Sequence, residues 1–271
     1  MFLTDTQIKQ LTGRERPHAQ RRVLDDLSIA YTPDGDGMNV LIACECSGVV
    51  RDAFVRAGHN AYSCDLKEGQ GVYVNRHFRA DCLDVVYAGA VGSNGVQQRP
   101  GFWHNGNCYF HTYWDLLIAH PTCQYLANSG VHLLHKEASR WTQLTEATAF
   151  FRQLWEAPIP RVAVENPVMH KYAKFLIGCG QQSQTIQPYQ FGHDASKRTC
   201  LWLRNLPNLV ADPADFVPAT HVSNKKGKFV YANQTPSGQN KLGPSKERTA
   251  KRSETYKGVA DAFAEQWGRA V

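Results

Sequence analysis

The apolar segment Leu116–Ala119 ends abruptly at His120-Pro121, and this junction strongly constrains the fold. Consecutive apolar residues bounded by polar ones are typical of a strand that is buried on both faces. A proline stops strand pairing and stiffens the turn that follows it. Cys123 therefore lies just past the carboxyl end of a buried strand, where ligands and reacting groups collect in open α/β sheets. Taken alone, a cysteine in this place is more often a small buried thiol.

Similar apolar runs alternate with helical patterns from Met38 onward. A strand–helix alternation that is repeated four times predicts a mostly parallel, doubly wound α/β sheet. The predicted strands are 39–43, 60–64, 115–119 and 161–164, and the clearest helices are 49–57 and about 137–155. An aromatic strand pair is predicted within 187–204.

Composition divides the chain into four regions. The regions are a helical appendage (1–36), a main domain (37–204), a basic loop-rich region (205–252) and a helix that packs on the main domain (253–271). Residues 87–112 are rich in Gly, Asn and aromatic residues and are predicted to be a surface insertion. The helix, turn and basic helix of the appendage suit either DNA binding or simple packing.

The eight cysteines are scattered and no secretory leader opens the chain, which indicates thiols in a reducing cytoplasm. Cys44 and Cys46 form only a C-x-C, so we expect no zinc site. No apolar run approaches the length of a membrane span. The net charge of +6 and the pI of about 8.9 permit an anionic partner.

Residues 221–252 contain eight lysines and arginines against the single acid Glu247. Lys225, Lys226 and Lys228 stand next to the aromatic residues of 229–231. Such a segment is typical of a loop that follows nucleic-acid phosphates, and equally of a solvated surface.

Three features at predicted strand ends describe an edge that binds a nucleoside. The small residues of Cys44–Gly48 let the backbone approach a ligand, and the helix start that follows favours a carboxylate or phosphate. Asp65 could accept hydrogen bonds from both ribose hydroxyls. Asp81 could bind an adenine amino group, with the backbone of Cys82 near the ring. Taken singly, each aspartate is better explained as a helix cap or turn residue.

Cys123 and Glu165 follow two strands that are separated by one helical crossover, so both could converge on one planar ring. A buried glutamate is expected to stay protonated near neutral pH and could give a proton to a ring nitrogen. The adjacent carbon would then be open to attack by sulfur. Asn166 and Pro167 fix the turn that carries Glu165.

With these residues the chain resembles the phage-type cytosine-C5 DNA methyltransferases over about residues 39–204. The segment 119–124 (Ala-His-Pro-Thr-Cys-Gln) is similar to the family's Pro-Pro-Cys-Gln nucleophile loop, and 164–168 (Val-Glu-Asn-Pro-Val) to its Glu-Asn-Val motif. Residues 42–48 take the place of the Phe-x-Gly-x-Gly loop. Residues 187–192, followed by Lys197-Arg198, resemble the Gln-x-Arg-x-Arg region.

The resemblance implies a class I, Rossmann-like methyltransferase that uses S-adenosylmethionine and acts on double-stranded DNA. It gives Cys123 the role of nucleophile, Glu165 that of proton donor, and Asn166 and Arg198 that of orienting the base. The cofactor contacts it implies are Cys44, Glu45, Cys46, Ser47, Gly48, Asp65, Leu66, Asp81, Cys82 and Pro121. The nucleic-acid contacts would be Gln124, Lys197, Lys225, Lys226 and Lys228.

The chain also departs from the family's pattern. Thr122 stands where a second proline is usual, the cofactor loop is poor in glycine, and the recognition region is compressed into about residues 205–252. The amino-terminal segment resembles a small phage domain of unknown function through its Leu-Thr-Gly-Arg-x-x-Pro turn. The recognition sequence and the oligomeric state are not determined by the sequence.

Two other interpretations fit the same residues. A related enzyme could act on another ring position, a modified base, a free nucleotide or RNA. A protein that kept the fold and lost catalysis could bind nucleic acid alone.

Overall fold

The computed structural model describes residues 37–88, 102–104, 107–109, 114–223, 227, 229–235, 241 and 254–269. Eleven strands lie within these ranges. They are β1 (Asn39–Ala43), β2 (Asn60–Asp65), β3 (His77–Arg79), β4 (Phe102–His104), β5 (Asn107–Tyr109), β6 (Leu116–Ala119), β7 (Arg161–Pro167), β8 (Gln184–Ile186), β9 (Thr199–Arg204), β10 (His221–Ser223) and β11 (Phe229–Tyr231).

Seven of these strands form one sheet in the order β3-β2-β1-β6-β7-β9-β8. Every pair from β3 to β7 is parallel, whereas β9 runs antiparallel to both of its neighbours. The strand order changes direction between β1 and β6. The loops after these two strands therefore border the crevice at the carboxyl edge of the sheet where α/β proteins bind ligands.

Helices cover both faces of the sheet. They are α1 (Val49–Ala57), α2 (Cys82–Ala88), α3 (Ser139–Trp155), α4 (Lys171–Ile177) and α5 (Lys257–Trp267). On one face, Phe54 of α1 and Phe263 of α5 are buried with Ile118 of β6. On the other face, Phe151 of α3 packs edge-on against Trp202 of β9, with ring centroids 5.2 Å apart. The result is a three-layer α/β/α arrangement.

A fully buried arginine ties the loop after β2 to the loop after β1. Arg51 pairs with Asp52 at 2.7 Å and donates to Ser63 Oγ at 2.9 Å and to the carbonyl oxygen of Gln70 at 2.6 Å. The backbone N–H of Gln70 donates to the Cys46 carbonyl at 2.7 Å. A buried charge is tolerated when it is paired and hydrogen-bonded, so this network favours one conformation of both loops.

The predicted α/β class with a mostly parallel sheet is confirmed. β1 and α1 have the predicted bounds, and β2, β6, β7 and α3 match closely. The strand pair predicted within 187–204 is partly wrong, because β8 precedes this segment and Pro188–Phe191 forms a 3-10 helix. Proline lacks the N–H that a ladder needs. The appendage 1–36 lies outside the described residues, and the domain boundaries stay predictions.

We expect Gly48→Ala to destabilise the fold more than Gly178→Ala does. Both glycines have positive φ, 75° and 70°, which costs an alanine about 1 kcal/mol. A Cβ on Gly48 would also overlap Arg51 Nη2 and the Gln70 carbonyl, which should add about 1–3 kcal/mol. At Gly178 a Cβ meets no described atom within 4 Å. Urea unfolding measures both losses, and equal losses would contradict the role given to the buried network.

Candidate active site

Parallel pairing places the segments after β1, β6 and β7 side by side. The N–H of His120 donates to the Ala43 carbonyl at 3.0 Å, and Ala119 stands opposite Val164 in the ladder. His120 and Glu165 follow that pair directly, so their side chains meet at the carboxyl edge of the sheet.

Cys123 is exposed in the turn that follows this edge. Two hydrogen bonds tie this turn to the end of β7 and the residue after it. Asn166 Nδ2 donates to the Pro121 carbonyl at 2.8 Å, and the N–H of Asn128 donates to the Val168 carbonyl at 3.2 Å. Glu165 therefore lies near the carboxyl end of β7, and Cys123 lies in the turn after β6 that is hydrogen-bonded to that end. The structure brings these two predicted residues to the same edge of the sheet.

Glu165 is paired with His120, and this pair corrects the prediction that Glu165 is protonated. His120 Nδ1 lies 3.2 Å from Glu165 Oε2, and the two side chains are 7% and 15% exposed. Burial alone would raise the pKa of Glu165. The hydrogen bond from His120 and the positive charges of Lys197 and His120 outweigh it, so the pKa of Glu165 lies below its usual value. Glu165 is thus a carboxylate in the resting protein.

Glu45 occupies the start of α1, which corrects a second prediction. Its Oε1 accepts from the Val50 N–H at 2.7 Å and its Oε2 from the Arg51 N–H at 3.2 Å. These N–H groups at the start of the helix are therefore already bonded to a carboxylate of the chain itself, so they are not available to a carboxylate of a ligand. Burial raises the pKa of Glu45, and the positive charge of nearby His120 opposes this rise.

The predicted nucleoside edge lies at the ends of β2 and β3. Asp65 is half-buried, and its Oδ1 accepts from the Lys67 N–H at 2.9 Å. Asp81 is exposed, and its Oδ1 caps α2 by accepting from the Leu83 N–H at 2.9 Å. Leu66 leaves 73% of its surface exposed directly after Asp65. Two carboxylates and an open apolar side chain thus stand together, although Asp81 also serves as a cap.

Two of the predicted cofactor residues, Cys44 and Cys82, are neighbouring thiols at the border of the hydrophobic core. Cys44 Sγ lies 3.5 Å from Cys82 Sγ, and Cys44 has a positive φ of 61°. The hydrogen bond to Cys82 and burial raise the pKa of Cys44 well above its usual value. Cys46 and Ser47 are half-buried in the same loop, which leaves part of each accessible to a ligand.

A small pocket opens beside Glu165, between the sheet and the start of α5. It is lined by Glu165, Ile186, Pro188, Lys197, Thr199, Thr255, Tyr256, Val259 and Phe263. Lys197 Nζ donates to the Glu254 carbonyl at 3.0 Å. Arg198, which was predicted to hold the base, is exposed just before β9. The described residue that brings positive charge into this pocket is therefore Lys197.

The region after β9 is tied to the segment that carries Lys197. Asn233 Oδ1 accepts from the Ser196 N–H at 3.2 Å, and Gln234 Nε2 donates to the Ser196 carbonyl at 2.8 Å. Gln124, predicted to contact nucleic acid, is exposed next to Cys123. The predicted contacts Lys225, Lys226 and Lys228 lie outside the described residues.

His120 is the site residue that the sequence analysis missed. In the sequence it marked only the end of the apolar segment Leu116–Ala119. Its position in the sequence could have identified it, because an ionisable side chain directly after an apolar parallel strand must lie at the carboxyl edge of the sheet.

None of the helices in the described ranges is both long and apolar enough to cross a bilayer. Within the same ranges, no group of three or more His, Cys, Asp and Glu side chains is arranged to hold a metal ion.

Residues 2–41 match a family described as a domain of unknown function (DUF4224). The match covers the segment that composition separated from the main domain and extends into β1. No curated protein matches the chain. The function of the main domain is therefore inferred from its site.

We expect the carboxyl group of Glu165 to titrate below its ordinary pKa of 4.5. A carboxylate with a depressed pKa stabilises the fold above its unfolded pKa, and this stabilisation is lost as the pH falls through the folded pKa. Carbon-13 NMR would follow the carboxyl signal, assigned by its loss in Glu165→Gln. The stability advantage of the wild type over this variant should shrink below about pH 4. A titration midpoint of Glu165 above about pH 6 would contradict this expectation and support a protonated glutamate.

Proposed function

We propose that the chain is an S-adenosylmethionine-dependent DNA methyltransferase that acts on C5 of cytosine. The observation that carries this proposal is the placement of Cys123 and Glu165. Glu165 lies near the carboxyl end of β7, Cys123 lies in the turn after the adjacent β6, and the hydrogen bond from Asn166 of β7 to the Pro121 carbonyl joins the two. A nucleophile and an acid–base group on one edge are what attack on a ring carbon requires.

The topology supports the proposal. The sheet has the strand order of a doubly wound nucleotide-binding fold, with an antiparallel strand, β9, inserted next to its last parallel strand. This arrangement agrees with the class I, Rossmann-like fold that the resemblance implies.

The described residues also fit the nucleoside part of S-adenosylmethionine. Asp65 would accept the ribose hydroxyls, Asp81 the adenine amino group, and exposed Leu66 would contact the ring. The α-carboxylate of the cofactor would need other donors, because Glu45 already holds the N–H groups at the start of α1. When bound, the cofactor would supply an electrophilic methyl group.

In the proposed reaction a cytosine is extruded from the duplex, since its ring is not accessible within the stack. Cys123, as a thiolate, bonds to C6, and the electron pair of the C5–C6 double bond moves into the ring. Glu165 receives one proton as sulfur bonds to C6 and passes it to N3, so that negative charge does not accumulate on the ring. Asn166 and Arg198 would orient the base. After C5 is methylated, a base removes its proton and the bond from sulfur to C6 breaks.

The substrate would be held at the rim of the same edge. Gln124 is exposed beside Cys123, and Lys197 lies in the pocket wall next to Glu165. Lys225, Lys226 and Lys228 would neutralise phosphates of double-stranded DNA. Binding should therefore weaken steeply as salt is added.

Cys123→Ser should lower methyl transfer by at least about a thousandfold, because the hydroxyl is a far weaker nucleophile. Labelled cofactor with DNA of varied sequence measures the transfer, and mass spectrometry of the nucleosides identifies the product base. Cys179→Ser is the matched control, since Cys179 is a half-buried thiol in the loop after α4. A Cys123→Ser protein with wild-type activity would rule out the covalent mechanism.

Asp65→Ala should weaken cofactor binding by about tenfold or more, equivalent to about 1.4 kcal/mol, because it removes the acceptor for the ribose hydroxyls. Calorimetric titration with S-adenosylmethionine measures this directly. Glu68→Ala is the control, since Glu68 is an exposed acid in the same loop that pairs with Arg79. If both variants bind as the wild type does, the cofactor lies elsewhere.

A further inference from the structure

His120 differs in its hydrogen bonds from the buried histidines His77 and His170. His77 uses both ring nitrogens, with Ser63 Oγ at 2.8 Å and the Lys67 carbonyl at 3.0 Å. His170 likewise contacts the Tyr125 carbonyl at 2.9 Å and the Ala173 N–H at 3.0 Å. Both rings are held on two sides, as is usual for a histidine with a structural role.

By contrast, His120 uses one nitrogen on Glu165, while its buried Nε2 has no hydrogen-bond partner among the described residues. A buried polar atom without a partner is costly, by about 1–3 kcal/mol, and calls for a functional explanation. The His120 ring is therefore not explained by a purely structural role.

Charged groups face His120 from two neighbouring strands. Glu165 at the end of β7 lies 3.2 Å from Nδ1, and Glu45 in the loop after β1 lies close enough for a positive charge on His120 to lower its pKa. Lys197 acts on Glu165, and Arg51 acts on Glu45. His120 thus stands between the loop predicted to hold the cofactor and the acid predicted to act on the base.

We propose that His120 is the positioning residue that controls the proton on Glu165 during the reaction. This inference rests on the proposed methyl transfer. In the proposed cycle the doubly protonated His120 ring first holds Glu165 as a carboxylate through Nδ1–H. As sulfur bonds to C6, one proton passes from Nδ1 to the Glu165 carboxyl and from that carboxyl to N3, which leaves a neutral imidazole. When sulfur leaves C6, the proton returns by the same route, so no proton is gained or lost.

Two variants separate this role from simple packing. His120→Asn keeps an amide N–H near the position of Nδ1 but carries no exchangeable charge. His120→Phe fills the space and removes the hydrogen bond. His170→Asn is the matched control, because it disrupts a structural histidine in the adjoining loop. Circular dichroism and urea unfolding establish that each variant is folded.

The first measurement does not depend on activity. In His120→Phe the pKa of Glu165 should rise above its usual value, because burial is then opposed only by the charge of Lys197. In His170→Asn the same carbon-13 signal should titrate as in the wild type. An unchanged pKa of Glu165 in His120→Phe would overturn the proposal.

The second measurement is the pH profile of methyl transfer. Both His120 variants should lower kcat by about a hundredfold or more and move the profile, with binding of S-adenosylmethionine within about twofold of the wild type by calorimetry. Wild-type kcat and an unmoved profile in His120→Asn would overturn the relay and leave the proposed function intact. If the wild type transfers no methyl group to any nucleic acid, the proposed function and the relay both fail.

Discussion

Parallel pairing of β6 with β1 on one side and β7 on the other is the constraint on which the site depends. The register aligns Ala43, Ala119 and Val164, so the next residues of all three strands emerge at one edge. All four residues of β6 are buried, and a slip of one residue would turn each side chain to the opposite face of the sheet. Core packing therefore fixes which functional side chains meet, although none of them belongs to the core.

The edge also contains charges that a core built only for stability would avoid. Glu45 is buried within the loop after β1, and Arg51 is buried beneath the loop after β2. Each is compensated by several hydrogen bonds, which makes it tolerable but gives little net stabilisation. Such groups cluster where a fold serves a ligand or a reaction. Their compensation also restrains the loops after β1 and β2 that carry the predicted nucleoside contacts.

The sequence predicted what depends on local pattern. The bounds of β1 and α1 followed from an apolar run and an amphipathic period, and the placement of Cys123 and Glu165 at one edge of the sheet followed from parallel topology. It could not predict the ionisation of Glu165, because that depends on His120, 45 residues away and joined only through strand pairing. Nor could it predict that Glu45 fills the start of α1, since several other side chains compete for such N–H groups.

The distribution of charge at this edge of the sheet suits both ligands of the proposed reaction, S-adenosylmethionine and DNA. The chain carries a net charge of +6, yet the ends of β1, β2, β3 and β7 each carry a carboxylate: Glu45, Asp65, Asp81 and Glu165. A cationic cofactor such as S-adenosylmethionine is favoured beside these acids, whereas the basic rim near β9 favours a polyanion. His120 lies between Glu45 and Glu165, and therefore between the acidic region predicted to hold the cofactor and the basic region near β9. A cation arriving at the loop after β1 would therefore change the electrostatic environment of the pair that is proposed to move a proton.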